Sequence, residues 1–181
     1  MKKNKKKIIL VLLIIVLLCV LYLLYRGNSE TDSSSPKNLS GLKSNHLIIP
    51  KINLDEPVYD DKKQGGVSSE FLNKGLSYYD ENTNKPGQGN VVIFGHSAVT
   101  SEHNAPFKGI GAGEIQKGDN IILTDKNGDR FIYKVSEIKT ISNNDFSIIK
   151  PTTKKIITLV TCIAPDFPKD KRLVVIGDLK Q

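Results

Sequence analysis

One apolar run ends in Thr158-Leu159-Val160-Thr161-Cys162, and the next begins at Arg172. A cysteine attacks carbonyl carbon as thiolate, so a nucleophilic thiol needs a base and a positive neighbour. Arg172 is permanently charged and carries a planar fork of five donors, suited to a peptide carbonyl or a developing oxyanion. A third apolar run leads into Gly95-His96-Ser97, whose imidazole can take and return a proton near neutral pH. Cysteine, histidine and arginine together are the equipment of acyl transfer through a thioester. Each also has a structural reading. Cys162 can be a small apolar residue closing a strand, Arg172 a surface charge, and His96 a turn residue bonded locally.

The elements that must position these residues are short β runs separated by turns. They are expected at 47–49, 54–58, 76–79, 90–94, 120–124, 130–138, 155–161 and 173–179, with helical turns at 67–72 and 105–110. Asn127-Gly128 is the best short hairpin signal in the chain. After it, Phe131, Tyr133 and Val135 alternate with Ile132, Lys134 and Ser136, as a half-buried strand requires. About eight strands with little helix imply an all-β fold, a closed or nearly closed barrel. If the last two runs pair antiparallel, the loop between them returns the chain so that Cys162 and Arg172 sit side by side.

The chain has 181 residues and a net charge of +7, but six of those seven charges lie in residues 1–26, leaving +1 for the other 155. The globular part is therefore close to neutral, and a nucleic-acid partner loses its electrostatic support. Residues 8–25 carry no charge and are apolar apart from Tyr22, Tyr25 and Cys19. As a helix they span about 27 Å, close to the roughly 30 Å of a bilayer core. The lysines before them set the N-terminus in the cytoplasm. A cleaved signal peptide is the alternative, but Leu24-Tyr25-Arg26 offers no small-residue cleavage site.

The expected organisation is a basic cytoplasmic segment (1–7), a transmembrane signal anchor (8–25), a flexible tether (26–45) and an extracytoplasmic domain (46–181). Cys19 lies in the anchor, so Cys162 is the one cysteine of the exported domain. It has no partner there for a disulfide, leaving a buried inert residue or a reactive thiol.

The sequence resembles the sortases. TLVTC, with an arginine ten residues on in Lys171-Arg172-Leu173-Val174-Val175, looks like their active-site signature, and Phe94-Gly95-His96-Ser97 like the segment carrying their histidine. Ile48-Ile49-Pro50-Lys51-Ile52, Lys117-Gly118-Asp119 and Tyr133-Lys134-Val135 extend the likeness. The resemblance implies a closed eight-stranded sortase-type β-barrel with a few short helices, held by one N-terminal transmembrane helix. It implies a cysteine transpeptidase that cleaves a Thr–Gly bond in an LPXTG-like sorting signal. The thioacyl intermediate then passes the surface protein to an amine of a peptidoglycan precursor or another envelope acceptor. By motif position, Cys162 is nucleophile, His96 general acid and base, and Arg172 stabiliser of carbonyl and oxyanion. Thr161 helps shape the substrate site.

A class A- or class D-like member is expected rather than the pilus-building class C, because the chain has a short polar tether and ends at Gln181. No cofactor is expected. Some members bind calcium through loop acids, and Asp80, Glu81 and Asp145 are the acids on offer, but solvation is the ordinary fate of such residues. His46, at the tether boundary, and His103, in a polar Ser-Glu-His-Asn stretch, are expected to face solvent. Two other functions fit parts of the pattern. An L,D-transpeptidase also uses cysteine and histidine, but with a small residue before the cysteine where this chain has Thr161. A non-catalytic, membrane-anchored β-barrel binding module would explain the anchor and barrel, and leave the Cys/His/Arg set as coincidence.

Overall fold

The computed structural model describes residues 44–60, 66–79, 85–100 and 103–180. The expected cytoplasmic segment, membrane helix and tether lie outside the described residues, apart from Ser44 and Asn45, as do Asp80 and Glu81. Eight strands form among the described residues: β1 (His46–Ile49), β2 (Leu54–Tyr59), β3 (Leu76–Tyr78), β4 (Asn90–Phe94), β5 (Asn120–Thr124), β6 (Arg130–Ser142), β7 (Ile156–Thr161) and β8 (Lys171–Leu179). They close in the order β1-β2-β3-β4-β7-β8-β6-β5, with β5 pairing back onto β1. The all-β barrel with few short helices is therefore the fold, and closure leaves no sheet edge exposed.

Two pairings in the barrel are parallel, β2 with β3 and β4 with β7. A parallel pair needs a crossover, and the one between β2 and β3 carries helix α1 (Ser69–Lys74). This helix starts two residues later than expected because the Ser68 side chain caps it, accepting from Phe71 N at 3.4 Å. A second short helix, α2 (Lys108–Gly111), also starts late. Pro106 disfavours helical backbone at Ala105, and Phe107 N donates to His96 O at 2.9 Å instead of entering a helix.

The hairpin at Asn127-Gly128 forms. The Asp125 carboxylate accepts from Asn127 N and Asp129 N at 2.8 and 2.9 Å, and Gly128 takes φ +84°, a conformation that glycine adopts freely. The strand after it runs to Ser142 rather than ending at 138. A bulge between Val135 and Glu137 breaks the alternation, and β6 then continues along β8 to Ser142 opposite Lys171.

Inside the barrel, Leu47, Val91, Ile93, Ile121, Leu123, Tyr133, Ile157 and Leu159 are fully buried. The sheet is also covered outside: Val92, Val160 and Val174 are buried beneath Ile148, Ile149 and Ile176. Burial on both faces is why β4 and β7 read as continuous apolar runs rather than alternating ones. Each fully buried aliphatic side chain contributes about 1.5–3 kcal/mol. The exposed Lys74–Glu70 pair (2.7 Å) on α1 contributes about 0.2–0.5 kcal/mol. The two-sided interior therefore holds the fold, with β4, β7 and β8 side by side in the barrel.

Candidate active site

These three neighbouring strands carry the candidate residues at one end of the barrel. In the parallel β4–β7 pair, Phe94 lies opposite Val160, so the register continued by two residues sets His96 beside Cys162. In the antiparallel β7–β8 pair, Thr161 lies opposite Leu173, and the next position sets Cys162 beside Arg172. Arg172 is also held on its other side, opposite Ile141 of β6. The sheet thus brings nucleophile, base and cation candidates to adjoining strand ends.

Hydrogen bonds prolong this register beyond the strands. Gly95 N donates to Val160 O at 3.2 Å, and the buried Thr161 Oγ1 donates to Gly95 O at 2.7 Å. Ser97 Oγ donates to Cys162 O at 2.9 Å. Cys162 itself is half-buried with a free thiol. Arg172 Nη1 donates to Lys169 O and Lys171 O at 3.1 and 2.7 Å, which ties the guanidinium to the β7–β8 loop. Among the described residues no hydrogen bond joins Cys162 Sγ to His96 or to Arg172, so what they share is register position.

His96 is half-buried, with Nε2 at 3.3 Å from Asn73 Oδ1 of α1. Its ring lies flat on that of His103, centroids 3.6 Å apart. Burial removes water from the imidazolium, and the second imidazole opposes its charge, so the pKa of His96 falls below the usual histidine value. The base candidate is neutral over more of the working pH range than an ordinary histidine.

Two histidines are not where the sequence suggested. His46 is buried, 8% exposed, because it opens β1 and its Nδ1 meets Asp55 Oδ1 at 2.7 Å. His103 is half-buried against His96 instead of facing solvent, because the loop after β4 folds back over the site. Asp145 caps a 3-10 turn by accepting from Ser147 N at 2.9 Å, and that bonding holds its carboxyl below the usual range. Asn73, Ser97, His103 and Gly111 belong to the site as well. Ser97 follows the histidine directly, but neither it nor the other three carries a spacing signal that assigns a role.

The closed barrel thus carries cysteine, histidine and arginine at the ends of β7, β4 and β8. Residues 47–180 match the family model of the sortase domain, and the chain belongs to the sortase family. Sortase A of Bacillus anthracis is 30% identical over 133 residues, which cover 74% of this chain and 58% of that protein. Sortase A of Listeria monocytogenes is 36% identical over 95 residues, 52% of this chain and 40% of that one. The chain thus spans well under two thirds of the length of these relatives. Among solved structures, Listeria monocytogenes sortase A superposes with a TM-score of 0.62 at 26% identity, covering 78% of this chain and 89% of that chain. Sortase C1 of Streptococcus agalactiae gives the same TM-score and identity, covering 76% and 67%. The barrel is common to classes A and C.

Proposed function

We propose that the chain is a cysteine transpeptidase of the class A or class D type. It cleaves an LPXTG-like sorting signal on a surface protein and transfers that protein to an amine of the cell envelope. The observation that carries the reading is the register convergence of His96, Cys162 and Arg172 on three adjoining strand ends. His96 takes the proton of the Cys162 thiol, and the thiolate attacks the carbonyl carbon of the scissile peptide bond. Arg172 holds the oxygen on which negative charge develops. As the tetrahedral intermediate collapses, the C–N bond breaks, His96 returns its proton to the leaving amine, and a thioester remains on Cys162. An incoming amine, from a peptidoglycan precursor or another acceptor, gives a proton to His96 and attacks the thioester. The thiolate leaves, and a new amide is formed.

The lowered pKa of His96 supports its role as base in the first step. Thr161, with its hydroxyl bonded to Gly95 O, shapes the site beneath the nucleophile. The uncharged run at 8–25 behind a lysine cluster supports a single-pass anchor, with the N-terminus in the cytoplasm and the catalytic domain outside.

The test is incubation of the full chain with a fluorogenic LPXTG-like peptide and an amine acceptor. The expected result is cleavage, a transfer product, and a mass increase on Cys162 matching the thioacyl fragment. Cys162→Ala abolishes all three, and undiminished turnover in that variant would remove the nucleophile from the scheme. Peptide binding with no cleavage would instead identify a binding module.

A further inference from the structure

His96 and His103 lie face to face, their planes 10° from parallel and their centroids 3.6 Å apart. Aromatic rings left to themselves favour offset or edge-on arrangements, so a close parallel pair points to a scaffold that imposes it. Here the backbone does so. Thr100 N donates to His103 O at 3.1 Å and Phe107 N to His96 O at 2.9 Å, folding the loop over the ring. The remaining contacts fix which nitrogens carry protons. Asn73 Oδ1 accepts, so His96 Nε2 is the N–H and Nδ1 is the nitrogen that exchanges a proton. Asn104 O accepts at 3.0 Å, so His103 Nδ1 is an N–H.

We propose that His103 is a positioning residue for His96: laid flat on the imidazole, it fixes the plane in which His96 exchanges its proton and opposes a second positive charge beside it. The proposal rests on His96 acting as acid and base. With Nε2 tied to Asn73 and one ring face covered by His103, rotation of the imidazole is opposed from two sides. It is a preorganised base rather than a loop residue that must find its orientation.

Burial first, and then the charge of the neighbouring His103, disfavour a protonated His96. Among the described residues, the other titratable or charged groups on the surrounding elements include Cys162 just past β7, at the register position beside His96, and Arg172 of β8, at the register position beside Cys162. Lys108 opens α2, while Glu70 and Lys74 on α1 are paired with each other at 2.7 Å. The α1 residue that reaches the ring, Asn73, is neutral.

The test uses the full chain in detergent micelles with 13C-labelled histidine, following the His96 ring by NMR through a pH titration, with His96→Gln assigning the resonance. His103→Ala is expected to raise the His96 midpoint by about half a pH unit or more. The same substitution is expected to lower kcat severalfold with KM little changed. His103→Phe keeps a flat ring but carries no charge, so kcat recovers towards wild type while the midpoint stays raised. A His96 midpoint that moves by less than about 0.1 unit in both variants overturns the proposal. The titration is read without turnover, so the two claims separate. Wild-type turnover in His96→Gln would defeat the acid–base role, while the midpoints would still decide the stack. Should His103→Ala not fold, His103→Phe decides on the midpoint alone.

Discussion

Ser97 Oγ donates to the Cys162 carbonyl at 2.9 Å, so the residue after the proposed base holds the backbone of the proposed nucleophile. Gly111 of α2 closes over the same bond. A Cβ added there would lie 2.5 Å from Ser97 Cβ and 3.0 Å from Cys162 O. Ala164 N, just past the cysteine, in turn donates to Gly111 O at 3.0 Å. Two segments distant in sequence, at Ser97 and Gly111, therefore help to locate the thiol, and the end of β7 does not have to do so alone.

Gly111→Ala tests this lock. The new methyl must displace either Ser97 or the Cys162 carbonyl, and overpacking of this kind costs about 1–3 kcal/mol. Ser97→Ala removes only the hydrogen bond, at about 1 kcal/mol. We expect Gly111→Ala to lower both the melting temperature and kcat/KM by more than Ser97→Ala does. Wild-type melting and turnover in Gly111→Ala would mean that the space opens without moving the nucleophile.

Legibility followed the range of the interactions. The hairpin at Asn127-Gly128 and the antiparallel pairing of β7 with β8 could be read because each depends on residues a short way apart in the chain. The placement of His96 beside Cys162 depends on the parallel β4–β7 pair, which joins positions 66 residues apart and has no turn to announce it. The extension of β6 was hidden by its bulge, which moves side chains to the opposite face and so breaks the period. His103, Asn73 and Gly111 reach the site through loop and helix ends, where no period exists to read.

The surroundings of His46 argue for a structural role. Its backbone N donates to Thr124 Oγ1 at 2.9 Å, and its ring bonds Asp55 at 2.7 Å, joining β1 to β5 and β2. His46→Ala should destabilise the fold by about 1–3 kcal/mol, through the lost bond and the space left behind, as followed by urea unfolding. Turnover of the folded fraction should match wild type. A folded variant with turnover lost would place His46 in the chemistry.

Tyr133 makes the fold sensitive to alkali. Burial disfavours the phenolate and raises its pKa from 10.0 to about 12, while its hydroxyl accepts from Gly87 N at 2.9 Å. Tyr78 shifts in the same direction, chiefly by burial and then by the nearby Asp60. A raised folded pKa means that the unfolded chain ionises first. The stabilisation is therefore complete below pH 10 and is lost as pH rises towards about 12, by an amount on the order of 2–3 kcal/mol for Tyr133. Tyr133→Phe should be less stable than wild type at pH 7, with Gly87 N left unpaired, yet lose less stability between pH 9 and about 11.5. Chemical denaturation at a series of pH values reads both effects, and parallel curves for the two proteins would refute the assignment.

Arg172→Lys separates charge from shape. One guanidinium nitrogen, Nη1, already donates to two carbonyls of the β7–β8 loop, those of Lys169 and Lys171. The rigid fork keeps its remaining donors in a fixed direction relative to that anchor, at the position next to Cys162. A lysine ammonium is a single point with rotating donors on a flexible stem. It can cap the loop or turn towards a substrate oxygen, but it cannot hold both in a fixed geometry. If Arg172 stabilises the oxyanion, the lysine variant should lose kcat by roughly 10²–10³-fold, the range seen when one oxyanion donor is removed. KM should change far less. Thermal unfolding of the two proteins should nearly coincide, since the anchor is a half-exposed bond at a strand start. A lysine variant with full turnover would show that positive charge alone suffices beside Cys162. A variant with unchanged kcat and raised KM would move Arg172 from oxyanion stabilisation to ground-state binding of the peptide.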